Sequence, residues 1–376
     1  LLTPGSLAII QASFDRADRG RAVGAWSGLG GVATAAGPLL GGYLIAAASW
    51  RWIFVINVPI GVLVLALSVR HVPESRDPGA PRRVDLSGGA LAVLALAGIT
   101  FGIIEGPTRG WGNGTVLAVL GVGVLGAVGF VAVERSSPAP MMPLEIFGFR
   151  QFTATNVVTF LVYAALGGTL FLLPVELQVV NHYTPLESGV ALMPITVLML
   201  LLSARSGRLA TRIGPRLQMS LGPVVVGAGL ALLGRSTTDA AYAAGVLPAV
   251  VVFGLGLAIT VAPLTTTALG ALPAEHAGLA SAVNNDVARL GGLLAVAILP
   301  ALAGISGHGY LDPATLAAGF RRAVLIAGVW CVAGGLLAAV GIRNPAQPAP
   351  ATGAGSPEER PCFHCALDGS PLRVDS

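Results

Sequence analysis

The sequence predicts an all-α polytopic membrane protein, and three observations carry that prediction. Only 11% of its residues are charged against 54% hydrophobic, where a soluble domain of this size needs far more charge to cover its surface. The apolar residues fall in runs of roughly 17 to 25, the length that crosses a bilayer as a helix. Those runs are continuous rather than alternating, so they are helices and not barrel strands. A helix also satisfies its backbone groups within its own segment, as lipid demands.

Residues 1–10 are too short to span, and no basic region or cleavage site precedes them, so they read as the end of a helix that begins upstream. A loop with Arg16, Arg19 and Arg21 follows. The next runs, 22–48 and 53–69, are joined by the tight connection Ser49-Trp50-Arg51-Trp52. A polar, Pro-rich stretch leads to runs at 86–104 and 116–133, and a second Pro-rich connection leads to six more, at 153–174, 189–202, 219–233, 241–264, 280–303 and 323–340. About ten full crossings result, plus the remnant, by the length rule. Gly and Ala are dense in these runs, and small side chains let membrane helices approach closely.

The formal net charge is +4, and every basic residue is Arg. Nucleic acid would be a partner to consider for a soluble protein of this charge, but here the Arg residues sit between apolar runs, where they report topology. The loop after the remnant and every second loop thereafter hold about thirteen Arg, against about five in the intervening loops, so the richer set is cytoplasmic. Arg321 and Arg322 fall on the poorer side. Trp26, Trp50, Trp52 and Trp111 stand near run ends, where interfacial anchoring explains them.

No pattern points to catalysis: there is no zinc-binding His pair, no P-loop and no Gly-x-Ser-x-Gly elbow. Without a nucleotide site, a pump would draw on an ion gradient. Cys331 lies in an apolar run and reads as packing. Cys362, Cys365 and His364 give at most three ligands, short of a closed zinc site, so no metal or other cofactor is expected. The tail, 343–376, is expected to be disordered and cytoplasmic.

The most specific pattern lies in the run 22–48: Gly28, then Gly37-Pro38, then Gly41-Gly42. Gly37 and Gly41 share a helix face, which a neighbouring helix can approach closely. Pro38 lacks an N–H and bends the helix. This string resembles the antiporter motif in the fifth helix of the fourteen-helix drug:proton antiporter branch of the major facilitator superfamily. The stretch 49–61 is similar to that family's connection between its fifth and sixth helices, and residues 1–10 to the end of its fourth. The string 206–216, with Gly207, Arg208, Leu209, Ala210, Arg212, Gly214 and Arg216, resembles the second-half copy of its loop motif. Thr211 stands where that motif has Asp. Its physical reading is a tight Gly turn with Arg at helix ends, favourable against C-terminal dipoles.

Four positions are candidates for coupling or substrate contact. Glu176, in a stretch similar to the family's ninth-helix ending, is a carboxyl partly withdrawn from water that can trade a proton. Asn285, Asp286 and Arg289, together with Asn284, belong on the first turns of a helix, with Asp286 and Arg289 spaced to pair. Glu105 and Arg51 read as interfacial.

The resemblance implies the major facilitator fold lacking about its first three to four helices. Residues 1–70 would be the remnant of an N-terminal helical bundle, 71–150 a two-helix inserted region, and 151–342 a C-terminal six-helix bundle. The activity it implies is proton-coupled export by alternating access, with protons, the lipid bilayer and a small amphipathic or cationic substrate as partners and no nucleic acid. The substrate site of such transporters lies between two halves, so the chain by itself would be inactive. A uniporter or importer on the same fold, or a non-transporting polytopic protein, remains the alternative.

Overall fold

The computed structural model describes residues 37, 40–71, 85–138, 140, 142–235, 242–273 and 277–344. Residues 40–47 are helical, and ten further α-helices follow, with no strand among the described residues. We number these α1 (Trp52–Val55), α2 (Asn57–His71), α3 (Leu86–Arg109), α4 (Gly114–Ser136), α5 (Arg150–Val179), α6 (Pro185–Ile213), α7 (Pro215–Leu233), α8 (Val246–Leu269), α9 (Ala277–Leu302) and α10 (Pro313–Gly341). With α1 and α2 taken as one span, nine are long and apolar enough to cross a membrane. The remaining expected crossing, 22–48, lies mostly outside the described residues, as do Trp26 and the tail with Cys362, His364 and Cys365.

The break between α1 and α2 at Ile56 has a chemical cause. Pro59 has no N–H to give the Val55 carbonyl and crowds the preceding turn. Asn57 eases the break by donating its amide to the Ile53 carbonyl at 2.8 Å. Elsewhere the helices outrun the apolar runs. The run 189–202 became a helix of 29 residues, because Thr184 caps its start and the polar string after it is helical too. Its expected loop shrank to Gly214.

Residues α5 to α10 form a six-helix bundle. Its packing order is α6, α8, α7, α10, α5, α9, each adjacent pair in extensive contact. Phe152, Leu172, Leu173, Met219, Leu230, Phe253, Leu257 and Leu299 are among the side chains that fill it. The helices at the two ends of that order have the open faces: buried residues make up 17% of the apolar window in α6 and 28% in α9, against 44% to 56% in the other four. Helices α3 and α4 form a separate antiparallel hairpin whose one further neighbour with substantial contact is α9. The α1–α2 span has no buried residue in its apolar window.

Candidate functional site

The helix at 40–47 meets the open face of α6 through Gly42, which is buried. A Cβ there would lie 2.8 Å from the Leu186 Cα, closer than any side chain could tolerate. The sequence placed the close approach at Gly37 and Gly41, but among the described residues nothing stands within 4 Å of a Cβ at either. Gly42 follows Gly41 by one residue, about 100° around the helix, so the neighbour sits on the adjoining face. Gly28 and Pro38 lie outside the described residues.

Leu186 belongs to the first turn of α6, which a reciprocal cap holds rigid. The Thr184 hydroxyl accepts the Glu187 N–H at 3.2 Å, and Glu187 Oε2 accepts the Thr184 N–H at 2.7 Å. The Thr-x-x-Glu spacing with Pro at the first helical position is a sequence signature of this cap, so that helix start was legible and was missed.

At the same end of the bundle, Glu176 occupies the last turn of α5, two residues after Pro174. It is half-buried, and its Oε2 is enclosed with no hydrogen-bond partner. The other acids of this bundle differ. Glu187 is spent in the cap and Asp286 is exposed. Asp312 caps α10 by accepting the Thr315 N–H at 2.9 Å, and the Thr315 hydrogen bonds hold its carboxyl below the usual range. Glu105 pairs with Arg109 one turn on, while Arg51 stacks over the Trp50 ring at 4.8 Å. Trp50, Trp52 and Trp111 are all exposed.

At the opposite, Arg-rich end, the string 206–216 is a helix end, one glycine and a helix start. Gly214 adopts φ +84°, a conformation costly for any residue with a Cβ, so α6 and α7 reverse direction over a single position. Arg208 and Arg212 are exposed on the end of α6, and Gly207 makes ordinary contact with Ala262. The Thr211 hydroxyl folds back onto the Arg208 carbonyl at 2.7 Å. Arg216 reaches out of its own helix: its Nε donates to the Ala339 carbonyl at 2.8 Å. Arg150 donates to the Val340 carbonyl at 3.1 Å. Two cations thus sit on the last carbonyls of α10, where the helix dipole favours positive charge.

Ser206, at the head of this string, had drawn no notice. Pro263 in α8 cannot donate to the Ile259 carbonyl, and the Ser206 hydroxyl does so instead at 3.1 Å. Gln218 of α7 in turn donates to Ser206 Oγ at 2.9 Å. One hydroxyl therefore ties three helices. A proline inside a span announces an orphan carbonyl four residues back, but which side chain satisfies it depends on packing.

Of the polar group expected on the first turns of α9, only Asn284 turns inward. It is 7% exposed and donates to Asn156 Oδ1 at 3.1 Å and Thr159 Oγ1 at 2.8 Å on α5. Asn285 is half-buried and donates to the Ser281 carbonyl of its own helix at 3.1 Å. Asp286 and Arg289 are both exposed and form no ion pair with each other among the described residues, contrary to their spacing. On an exposed face, such a pair gains little against side-chain entropy. Cys331 is fully buried, in keeping with packing. Among the described residues no cluster of three or more potential metal ligands occurs.

A bundle of bilayer-length helices, linked by buried polar knots and abutted by a further helix through glycine, defines a multi-pass membrane protein. The chain belongs to the Major Facilitator Superfamily, whose family model matches residues 1–296. It is similar to the multidrug resistance protein Stp of Mycobacterium tuberculosis, with 35% identity over 78% of this chain and 54% of that protein. It is likewise similar to the tetracenomycin C resistance and export protein of Streptomyces glaucescens, with 35% identity over 80% of this chain and 56% of the relative. The cephamycin export protein CmcT of Amycolatopsis lactamdurans shares 29% identity over 93% of this chain and 71% of its own length. The chain spans little more than half the length of the first two relatives.

Proposed function

We propose that the whole protein is a secondary active transporter of the drug:proton antiporter branch, exporting drug-like compounds by alternating access. It moves its substrate without covalent chemistry. Relatives named for the export of tetracenomycin C and cephamycin support this reading. Spans with few fixed charges suit amphipathic or cationic substrates better than phosphates or sugars.

The observation that carries the reading is Glu176, a half-buried acid whose enclosed oxygen has no partner. An acid in that condition accepts and releases protons as its surroundings open and close. We assign residues 1–70 to a first helical bundle, 71–150 to an inserted region, 151–342 to the second bundle and 343–376 to a cytoplasmic tail. We assign the transport motif to Gly28, Gly37, Pro38, Gly41 and Gly42, and the close approach of Gly42 to Leu186 supports that assignment. Gly207, Arg208, Arg212, Gly214 and Arg216 hold the cytoplasmic ends. Asn285, Asp286 and Arg289 are second-rank candidates for substrate or proton contact.

The test uses the protein expressed from its complete reading frame in inside-out vesicles. With an acid interior, a fluorescent cationic dye should accumulate, and a protonophore should abolish that accumulation. Glu176→Gln should lose the dependence on the pH gradient and keep passive dye exchange. Dye that merely equilibrates, gradient or not, would favour the uniporter reading. No dye movement by folded protein would remove multidrug export.

A further inference from the structure

The last turn of α10 gathers cations that the transport reading does not use. Arg150, at the start of α5, donates from Nη2 to the Val340 carbonyl at 3.1 Å. Its neighbour Gln151 fixes Arg343 through the backbone alone: Gln151 Nε2 donates to the Arg343 carbonyl at 3.1 Å, and Gln151 Oε1 accepts the Arg343 N–H at 3.0 Å. The Arg343 guanidinium takes no part in these bonds. Arg216, on the Ala339 carbonyl, adds a third positive charge at the adjacent residue of the same turn. All three arginines are exposed. Carbonyls hold Arg150 and Arg216 in place without neutralising them. Arg150, with one of its N–H groups engaged in this contact, keeps further donors for an anion.

The three helices supply no compensating acid here. Helices α7 and α10 carry none, and α5 has only Glu176, at its far end. Glu145, ahead of α5, is exposed, and neither Arg150 nor Arg343 forms an ion pair among the described residues. Below the cations the surface is apolar. Helices α7 and α10 meet backbone to backbone: a Cβ on Gly335 would lie 2.5 Å from the Ser220 carbonyl oxygen, and one on Gly227 would lie 3.0 Å from that of Gly328. Leu217, Leu221 and Val224 on α7, and Leu336 and Val340 on α10, stay exposed. Their spacings of three and four put each set on one helix face. Leu217 directly follows Arg216, and the Val340 carbonyl holds Arg150, so this strip ends in the cationic edge. A molecule with an acyl chain and an anionic head group matches both parts, whereas free phosphate matches only the second.

We propose that this edge binds an anionic phospholipid from the leaflet at the Arg-rich end. The guanidinium groups of Arg150 and Arg343 take its phosphate, an acceptor whose geometry suits the planar fork of arginine. Arg216 adds to the attracting field, and an acyl chain lies along Leu336 and Val340. Basic edges between membrane helices recognise anionic head groups in this way. Bound there, the lipid ties the start of α5 to the end of α10. The site is independent of Glu176 and of the transport reading.

Native mass spectrometry tests this on the protein expressed from its complete reading frame and released from nanodiscs of phosphatidylcholine with increasing phosphatidylglycerol. Phosphatidylglycerol should be retained in preference to phosphatidylcholine. Arg150→Gln and Arg343→Gln should each weaken its retention about fivefold, the worth of one arginine near an anionic head group. Arg135→Gln, which removes an equal charge from the end of α4 at the same Arg-rich end, should leave retention unchanged. The proposal is overturned if the two lipids are retained equally, or if Arg135→Gln weakens retention as much as Arg150→Gln, which would mark diffuse surface charge. It is also overturned if inorganic phosphate displaces the lipid, which would mark a free-anion site. Preference for phosphatidylglycerol that appears only in the double variant Glu358→Gln, Glu359→Gln would overturn it too, by making the acidic tail the occupant. Should Arg150→Gln fail to fold, Arg343→Gln still decides the matter, because the bonds between Arg343 and Gln151 run through the Arg343 backbone.

Discussion

The α3–α4 hairpin and the α5–α10 bundle solve helix association in different ways. In the hairpin the buried positions of α3 are Gly88, Ala95, Gly98, Gly102 and Gly106, and those of α4 are Val116, Gly123, Gly126 and Glu134. Its joint is backbone against backbone: a Cβ on Gly98 would meet the Gly123 Cα at 2.6 Å. The larger side chains, Leu94, Val122, Leu125 and Val128, face outward. The bundle also has close glycine contacts, such as Gly229 against Phe253, but surrounds them with buried Leu and Phe and crosses them with polar bonds. Water is not the competing solvent in lipid, so neither region gains from simple apolar burial between helices. The hairpin relies on close dispersion contact along one seam, whereas each inner helix of the bundle has two extensive partners. A single intrusion should therefore unseat the hairpin and only dent the bundle.

The sharpest way to break this contrast is Gly98→Leu. Forcing a side chain into that seam should cost about 3 kcal/mol, the upper end of overpacking effects, and should widen the α3–α4 separation read by spin-label distances. Gly121→Ala, on α4 with nothing within 4 Å of its Cβ, should stay within about 0.5 kcal/mol of wild type. Equal effects from the two would refute a seam of backbone contact.

Inside the bundle the expected costs are smaller. Asn284→Ala removes both donations to Asn156 and Thr159, and should lower stability in a denaturant titration by roughly 1.5 kcal/mol, near the maximum for interhelical hydrogen bonds in membranes. Ser206→Ala leaves the Ile259 carbonyl without its donor and should cost about 1 kcal/mol. Ser206→Thr, which keeps the hydroxyl, should recover part of that loss. Arg216→Ala should be the mildest, about 0.5 kcal/mol and weaker at high salt, because its contact with the end of α10 is solvent-exposed. A salt-independent loss there would show that packing by the Arg stem, rather than charge, holds α7 to α10.

Helix type and approximate position were legible for the nine spans among the described residues, because each apolar run states its own length against the bilayer. Boundaries were less legible. The polar residues of 206–213 continue α6, since a helix can leave the membrane and stay helical. Of the candidate residues, Glu176 and the group Asn284 to Arg289 were legible as polar positions near helix ends, but not their surroundings: the structure gives Asn284 two partners and leaves an oxygen of Glu176 without one. The pairing expected between Asp286 and Arg289 did not form, because spacing along a helix permits contact without making it favourable.

By itself, then, the sequence determined that the chain lies in a membrane, that its spans are helical, and that a glycine turns the chain within 206–216. Those properties follow from local chemistry: run length, backbone satisfaction within a helix, and the conformations open to one residue. Only the tertiary structure decided which glycine meets α6, which hydroxyl answers Pro263, and which asparagine turns inward. Each of those depends on rotation of one helix against another, and helix rotation is set by the packing of all its neighbours at once.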